Sequence, residues 1–381
     1  MTKRFPPFSL SRLLRTVFAP SPGERVAVLI DLPDPKGVVG FEFLKHREFE
    51  IQSMAYEHVY RGLQDGILKE LQLEGGELFC YRATAASNLD LPDEAYSPDG
   101  AVWSFEEHIY PAYDILLCIS TNSATAPLTA SAKQHGFRGA TLHGLNPVIL
   151  SSGLSVNYED VSREAEELRS GMSRAQAVEL DFQVEGRECA LRLELGGQEA
   201  QKSHGLCREG PDVANLPAGE VYYVPCGGSG HFPLRLEDGT LALLTVRDGC
   251  AVDASLIRGD ERLVRDYAAK LKDDPATGAL GELGFGTQDL PVSGRDIQDE
   301  KIFGTFHIAT GRNDHLGGDV TPDKFRHAHN ASHDDILYGP EKTPEIRVPQ
   351  VRMYRDGQVH VLFEDYRPAR FLLELRNAQP V

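Results

Sequence analysis

Five acidic or imidazole side chains stand where the sequence around them is apolar or rich in glycine. They are Glu220 in NLPAGEVYYVP, Glu282 in GALGELGFGT, His307 in GTFHIATG, and His333 with Asp335 in ASHDDIL. A carboxylate or imidazole in such a run is costly to bury unless it is paired or bound to a metal. Their spacings are 62, 25, 26 and 2 residues, so only a fold can bring them together. His333 and Asp335, with one residue between them, face the same way in an extended segment. Three carboxylates and two imidazoles are the ligand types that hold a pair of divalent ions, one carboxylate bridging. Such a pair, about 3.5–4 Å apart, polarises a carbonyl, lowers the pKa of a shared water and steadies an oxyanion. Taken singly, each of the five reads as a solvated or locally satisfied residue. What distinguishes them is their company: Gly284, Gly286, Gly304, Gly311, Gly317 and Gly318 permit close backbone approach beside a ligand.

Other polar stretches carry weaker signals. CGGSGHFP at 226–233 reads as a glycine-rich substrate loop with His231 as a proton shuttle, and it lacks the strand–GxxxxGK[ST]–helix context of a phosphate cradle. His315, His327 and His329 lie in a polar loop and read first as solvated residues, with a supporting role beside the site as the alternative. The hydroxyls of STNSATAPLTASAK read as a helix cap, since no GxSxG elbow is present.

The elements that must position these residues change character along the chain. From 24 to about 174, short apolar runs such as ERVAVLIDLP and YDILLCIST alternate with helical periodicity, which predicts an α/β N-terminal domain over 1–174 with helices on a parallel sheet. From 175, alternating runs dominate. VELDFQV and RECALRLEL are joined by Glu185-Gly186, and Asp-Gly pairs follow at 238–239, 248–249 and 356–357, all hairpin signals. One helix, DERLVRDYAAKLKDD, interrupts the strands. The expected second domain, 175–381, is therefore mostly antiparallel β (α+β), and it holds all five candidate ligands.

Composition narrows the partners. The 381 residues carry 57 acidic against 39 basic side chains, a net charge of −18, so nucleic acid is repelled rather than steered in. Six cysteines, Cys80, Cys118, Cys189, Cys207, Cys226 and Cys250, include no CxxC pair, the pattern of reduced, buried thiols in a cytoplasmic protein. The basic start MTKRFPPFSLSRLLR shows no apolar signal core and reads as a surface, docked or frayed end. No run approaches a membrane span. The expectation is a cytoplasmic protein acting on a peptide or small molecule, with neither nucleic acid nor membrane as partner.

In order, LPAGEVYYVP, GELGFGTQ, DEKIFGTFHIATGRN, LGGD and NASHDDIL resemble the motif series of the thermophilic-type metallo-aminopeptidases, the aminopeptidase T family, and of its 2,5-dihydroxypyridine dioxygenase relatives. The resemblance covers roughly the last two-thirds of the chain. It implies that Glu220, Glu282, His307, His333 and Asp335 bind a cocatalytic pair of zinc, cobalt or manganese-type ions. Whichever of Glu220 and Glu282 does not bridge then serves as general base. It also implies a homodimer. One departure stands out: the aminopeptidase motif has a tyrosine seven residues after the first histidine, and this chain has Asp314 there. The dioxygenase branch implies a different use, with His307, His333 and Asp335 around one non-haem Fe(II), and the missing tyrosine leaves a third reading, a catalytically altered member that binds peptides.

Overall fold

The computed structural model describes residues 4–377, and the chain divides into two compact units, Met1–Ser162 with His204–Ala218, and Arg163–Ser203 with Gly219–Val381. Where the sequence predicts one boundary at 174/175, these units exchange a segment. The strand Asp212–Asn215 pairs in parallel with Arg138–Thr141 in the first unit, and Leu168 and Met172 enter the core of the second.

The first unit is built on a seven-stranded sheet in the order Asp212–Asn215, Arg138–Thr141, Ile115–Ile119, Arg25–Leu32, Glu74–Arg82, Glu94–Tyr96, Val102–Ser104. The first five are parallel and the last two antiparallel. Arg25–Leu32 is buried at every position but the first, as a parallel strand covered on both faces must be. The basic N-terminal stretch is docked here. Its helix Leu10–Phe18 is capped by the Ser9 hydroxyl, and Leu10, Leu13, Leu14, Val17 and Phe18 are buried. The helix Thr125–His135 has Ala124 at its N-cap, without a side-chain cap; instead Ser123 Oγ accepts from Thr125 N, and Asn88 Oδ1, from outside the expected stretch, accepts from Ala126 N.

The second unit holds two antiparallel sheets, of nine and five strands. The hairpin Ala177–Val184 to Arg187–Glu194 turns at Glu185 (φ 48°) and Gly186 (φ 72°), the pair of positive φ values that a two-residue turn requires. Asp248-Gly249 and Asp356-Gly357 turn the same way. Asp238-Gly239 does not: only Gly239 has positive φ, and the loop is closed by Leu236 N to Thr240 O. The expected helix forms at Glu261–Asp273, capped by Asp260. CGGSGHFP, expected as a substrate loop, is instead the start of the strand Gly227–Arg235 in the nine-stranded sheet. His231 is exposed there and meets Thr245 Oγ1 at 3.3 Å.

All six cysteines are free. Cys80, Cys118 and Cys207 are buried, while Cys226 is exposed, against expectation. Among the described residues no helix is long and apolar enough to cross a membrane.

Behind the five-stranded sheet lies an aromatic stack. Phe306 is fully buried, with ring centroids 5.0 Å from Tyr338 and 6.3 Å from Phe363. Phe306→Ala should therefore cost about 3–5 kcal/mol, read by urea unfolding followed by far-UV circular dichroism. A loss under about 1 kcal/mol would mean that the stack does not hold this sheet.

Candidate metal centre

The five-stranded sheet runs in the order His333–Tyr338, Phe306–Gly311, Leu280–Gly286, Glu220–Tyr223, Gln201–Ser203. Glu220 lies opposite Gly286, His307 opposite Gly284, Glu282 and Asp335 both opposite Ala309, and His333 opposite Gly311. Alternate residues share a face. All five candidates therefore project from one side, while Val221, Leu283, Phe285, Phe306 and Ile308 enter the core from the other. Each has a glycine or Ala309 as a cross-strand neighbour, and the small residues are sterically required. A Cβ on Gly284 would lie 2.1 Å from His307 Cε1, because the imidazole lies across that position.

The side chains converge. His307 Nε2 is 3.5 Å from Glu282 Oε1, 3.8 Å from Asp335 Oδ1 and 3.9 Å from Glu220 Oε2. His333 Nε2 is 3.1 Å from Glu282 Oε2 and 3.2 Å from Asp335 Oδ1. The separations around His307 are long for hydrogen bonds. They fall between the roughly 3.0 and 4.2 Å that separate adjacent and opposite donors of an ion held at about 2.1 Å. His307 Nδ1 is buried without a hydrogen-bond partner. Donor atoms lie within 4.8 Å of one another in three sets: Glu220, Glu282 and His307; Glu282, His333 and Asp335; Glu300, His307 and Asp335. The donor set and its spacing fit divalent cations. Asp335 keeps 30% of its side chain exposed, which marks the side open to solvent.

Two neighbours escaped the sequence reading. Lys301 Nζ lies 2.7 Å from Glu220 Oε2 and 2.6 Å from Glu300 Oε1, with its side chain 1% exposed. The contact with Glu220 is an ion pair outside hydrogen-bond geometry, since that oxygen accepts no hydrogen bond. The only sequence signal for this pair was Gly286: a Cβ there would lie 2.2 Å from Ile302 O and 2.6 Å from Lys301 C, so the Glu300–Ile302 backbone rests on that glycine. The second neighbour is Arg312, which is buried; its carbonyl lies 2.6 Å from His333 Nδ1 and turns Nε2 toward the centre.

Asp314, which stands where the resembled aminopeptidase motif has a tyrosine, is held by Arg312 Nε at 2.7 Å and belongs to none of the three sets. His315 is nearly buried and packs edge-on against His333, with centroids 5.0 Å apart, so it supports the site. His327 and His329 are exposed, stacked on each other, and His327 bonds Asp273.

Charge is concentrated here. Burial opposes ionisation of Glu282, but the His307 and His333 imidazoles outweigh it and hold the carboxyl well below the usual range. Burial likewise opposes charge on His307, and Glu282 overrides it, pushing the imidazole up to about 10. His333 is raised well above its ordinary value, against burial, by Asp335 and Glu282. Glu300 is pushed up to about 7 by burial, against the pull of Lys301.

No family model matches the sequence, and no curated protein matches it. Among solved structures, the fold is similar to that of a 2,5-dihydroxypyridine dioxygenase from Pseudomonas putida KT2440, with a TM-score of 0.60 and 15% identity over 94% of each chain. It is also similar to wild-type AmpT from Thermus thermophilus, with a TM-score of 0.53 and 16% identity over 94% of this chain and 98% of the other. At these identities what is shared is the fold, along nearly the whole chain.

Two outcomes are expected. A bound ion must displace the protons that the carboxylates keep on His307 and His333. Because the His307 value is raised to about 10, the metal-free ion pairs are intact below about pH 6.5 and fade as pH rises through about 10. Zn²⁺ affinity, measured by chelator competition, should therefore climb between pH 6 and 8, approaching a hundredfold per unit while two protons are displaced; a flat profile would show that the ion does not replace them. Gly284→Ala should displace His307 and weaken Zn²⁺ binding at least about tenfold with the circular dichroism spectrum unchanged.

Proposed function

We propose that the protein is a metal-dependent hydrolase resembling an aminopeptidase, with two cation positions that share Glu282. The reading rests on one placement: Glu282 Oε1 faces His307 Nε2 at 3.5 Å and Oε2 faces His333 Nε2 at 3.1 Å. One carboxylate thus spans two imidazoles, and each imidazole has a further carboxylate beside it, Glu220 or Asp335. Two divalent ions in such a set supply carbonyl polarisation and a water of lowered pKa.

The chain's own groups prepare that chemistry. The Arg312 carbonyl accepts from His333 Nδ1 and fixes the tautomer that presents Nε2. Glu282, kept ionised by its two imidazoles, is the shared ligand, which leaves Glu220 as the carboxylate to accept a proton. Lys301 Nζ, 2.7 Å from Glu220 Oε2, keeps that carboxylate oriented at the edge of the set. The acidic, partly exposed Asp335 edge attracts a cationic amino terminus, which fits a peptide substrate.

A second reading, a single Fe(II) centre that cleaves a dihydroxylated N-heteroaromatic ring with O₂, is favoured by Asp335. Its carboxylate is within 3.8 Å of His307 Nε2 and 3.2 Å of His333 Nε2, the two-imidazole, one-carboxylate set of non-haem iron oxygenases. The Arg312-bound Asp314, ionised where the aminopeptidase motif has a phenol donor, also counts on that side.

Metal content separates the two. Saturation with Zn²⁺ or Co²⁺ to about two ions per chain, with release of chromogenic amine from amino-acid anilides, is expected for the hydrolase. Glu282→Gln should reduce that release at least about a hundredfold. About one Fe per chain after anaerobic purification, with O₂ uptake on a dihydroxypyridine and no anilide turnover, would replace the first reading by the second.

A further inference from the structure

We infer that Lys301 is an internal cation that competes with a metal for Glu220, so that the position beside His307 is the weak, exchangeable one and the position beside His333 the tight one. This rests on the reading that the centre binds cations, and it concerns how the two positions differ.

The two imidazoles have unlike surroundings. At His333, Glu282 Oε2 and Asp335 Oδ1 face Nε2 at 3.1 and 3.2 Å. At His307, Glu282 Oε1 and Asp335 Oδ1 stand farther off, at 3.5 and 3.8 Å; the further carboxylates within reach are Glu220 and Glu300, and Lys301 Nζ sits 2.7 and 2.6 Å from their oxygens. The Glu220 oxygen that Lys301 takes, Oε2, is also the one nearest His307 Nε2, at 3.9 Å. A metal that takes this oxygen shares it with a buried ammonium, and one that takes the other oxygen of the same carboxylate still lies close to that ammonium; like charges at such range in a poorly solvated site repel strongly.

The backbone that carries the ammonium is fixed. Lys301 N donates to Gln298 O at 3.0 Å and its carbonyl accepts from Gln288 N at 2.8 Å, while the neighbouring backbone lies against Gly286. Formal charge points the same way. Glu220, Glu282, Glu300 and Asp335 bring four negative charges and Lys301 one positive. With imidazoles neutral, one divalent ion leaves the cluster one unit negative, and a second carries it one unit positive. Without Lys301, two ions bring it to neutrality.

The probe is Zn²⁺, titrated into the metal-free full-length protein by calorimetry or chelator competition. The wild-type chain should bind one equivalent tightly and a second at least about tenfold more weakly. Lys301→Met should strengthen the second equivalent at least about tenfold while leaving the first within about threefold. Its thermal stability should also become strongly Zn²⁺-dependent, because the metal then compensates Glu220 and Glu300. Glu220→Gln, which keeps the ammonium paired with Glu300, should abolish the second equivalent and spare the first; it decides the matter if Lys301→Met cannot be recovered folded. Two equal wild-type affinities, an unchanged gap in Lys301→Met, or equal weakening of both equivalents in Glu220→Gln would overturn the inference while leaving the metal centre standing. No Zn²⁺ binding by the wild-type chain would instead remove the reading on which it rests.

Discussion

The centre depends on placing three buried carboxylates, Glu220, Glu282 and Glu300, close to one another and to the partly exposed Asp335 over one face of the sheet. Glu220 and Glu282 are buried, and Glu300 joins them at 5% exposure. Carboxylates stripped of water repel one another and each loses its hydration. Positive charge must therefore be built in or bound, and the surroundings supply it from several directions: Lys301 between Glu220 and Glu300, and the two imidazoles against Glu282 and Asp335.

The sheet makes such crowding mechanically tolerable. Each polar side chain lies beside glycine or alanine on the next strand, so the rings and carboxylates lie over neighbouring backbone instead of competing with a second row of side chains. Packing behind the sheet keeps the strands in register, with Phe285, Phe306, Tyr338 and Phe363 in ring contact. One face supplies rigidity and the other supplies donors. Donors carried on paired strands have little freedom to adjust, and pre-organisation of this kind is what a metal site requires.

The same frame is compatible with hydrolytic or oxidative chemistry because ligand identity alone does not choose between them. Around the ligand set of this chain lies a further layer of charge. Arg312 neutralises Asp314 where the resembled peptidases carry a phenol, and its carbonyl orients His333. Lys301 biases one imidazole's surroundings and not the other's. These contacts shape the surroundings of the donor set without adding a ligand.

Much of this was legible in the sequence. A charged residue inside an apolar or glycine-rich run announces a burial cost, which is why Glu220, Glu282, His307, His333 and Asp335 stood out before their convergence was known. Hairpins announced themselves where the turn needs two positive φ values, as at Glu185-Gly186. The same logic misled at His231, because a glycine-rich stretch serves equally well as a strand that approaches its neighbour closely; Gly230 lies 2.2 Å, by its missing Cβ, from Ala190 O. Glu300-Lys301 was invisible, since adjacent opposite charges look like a solvated surface pair, and only the fold over Gly286 buries them. Nor could local pattern show that 204–218 returns to the first unit, because a parallel edge strand is defined by a partner about seventy residues away. The sequence by itself determined which side chains need compensation, since burial costs follow from residue type and immediate neighbours. Tertiary structure alone decided which charge compensates which, because electrostatic partnership depends on distances of a few ångströms between segments that the chain order leaves far apart.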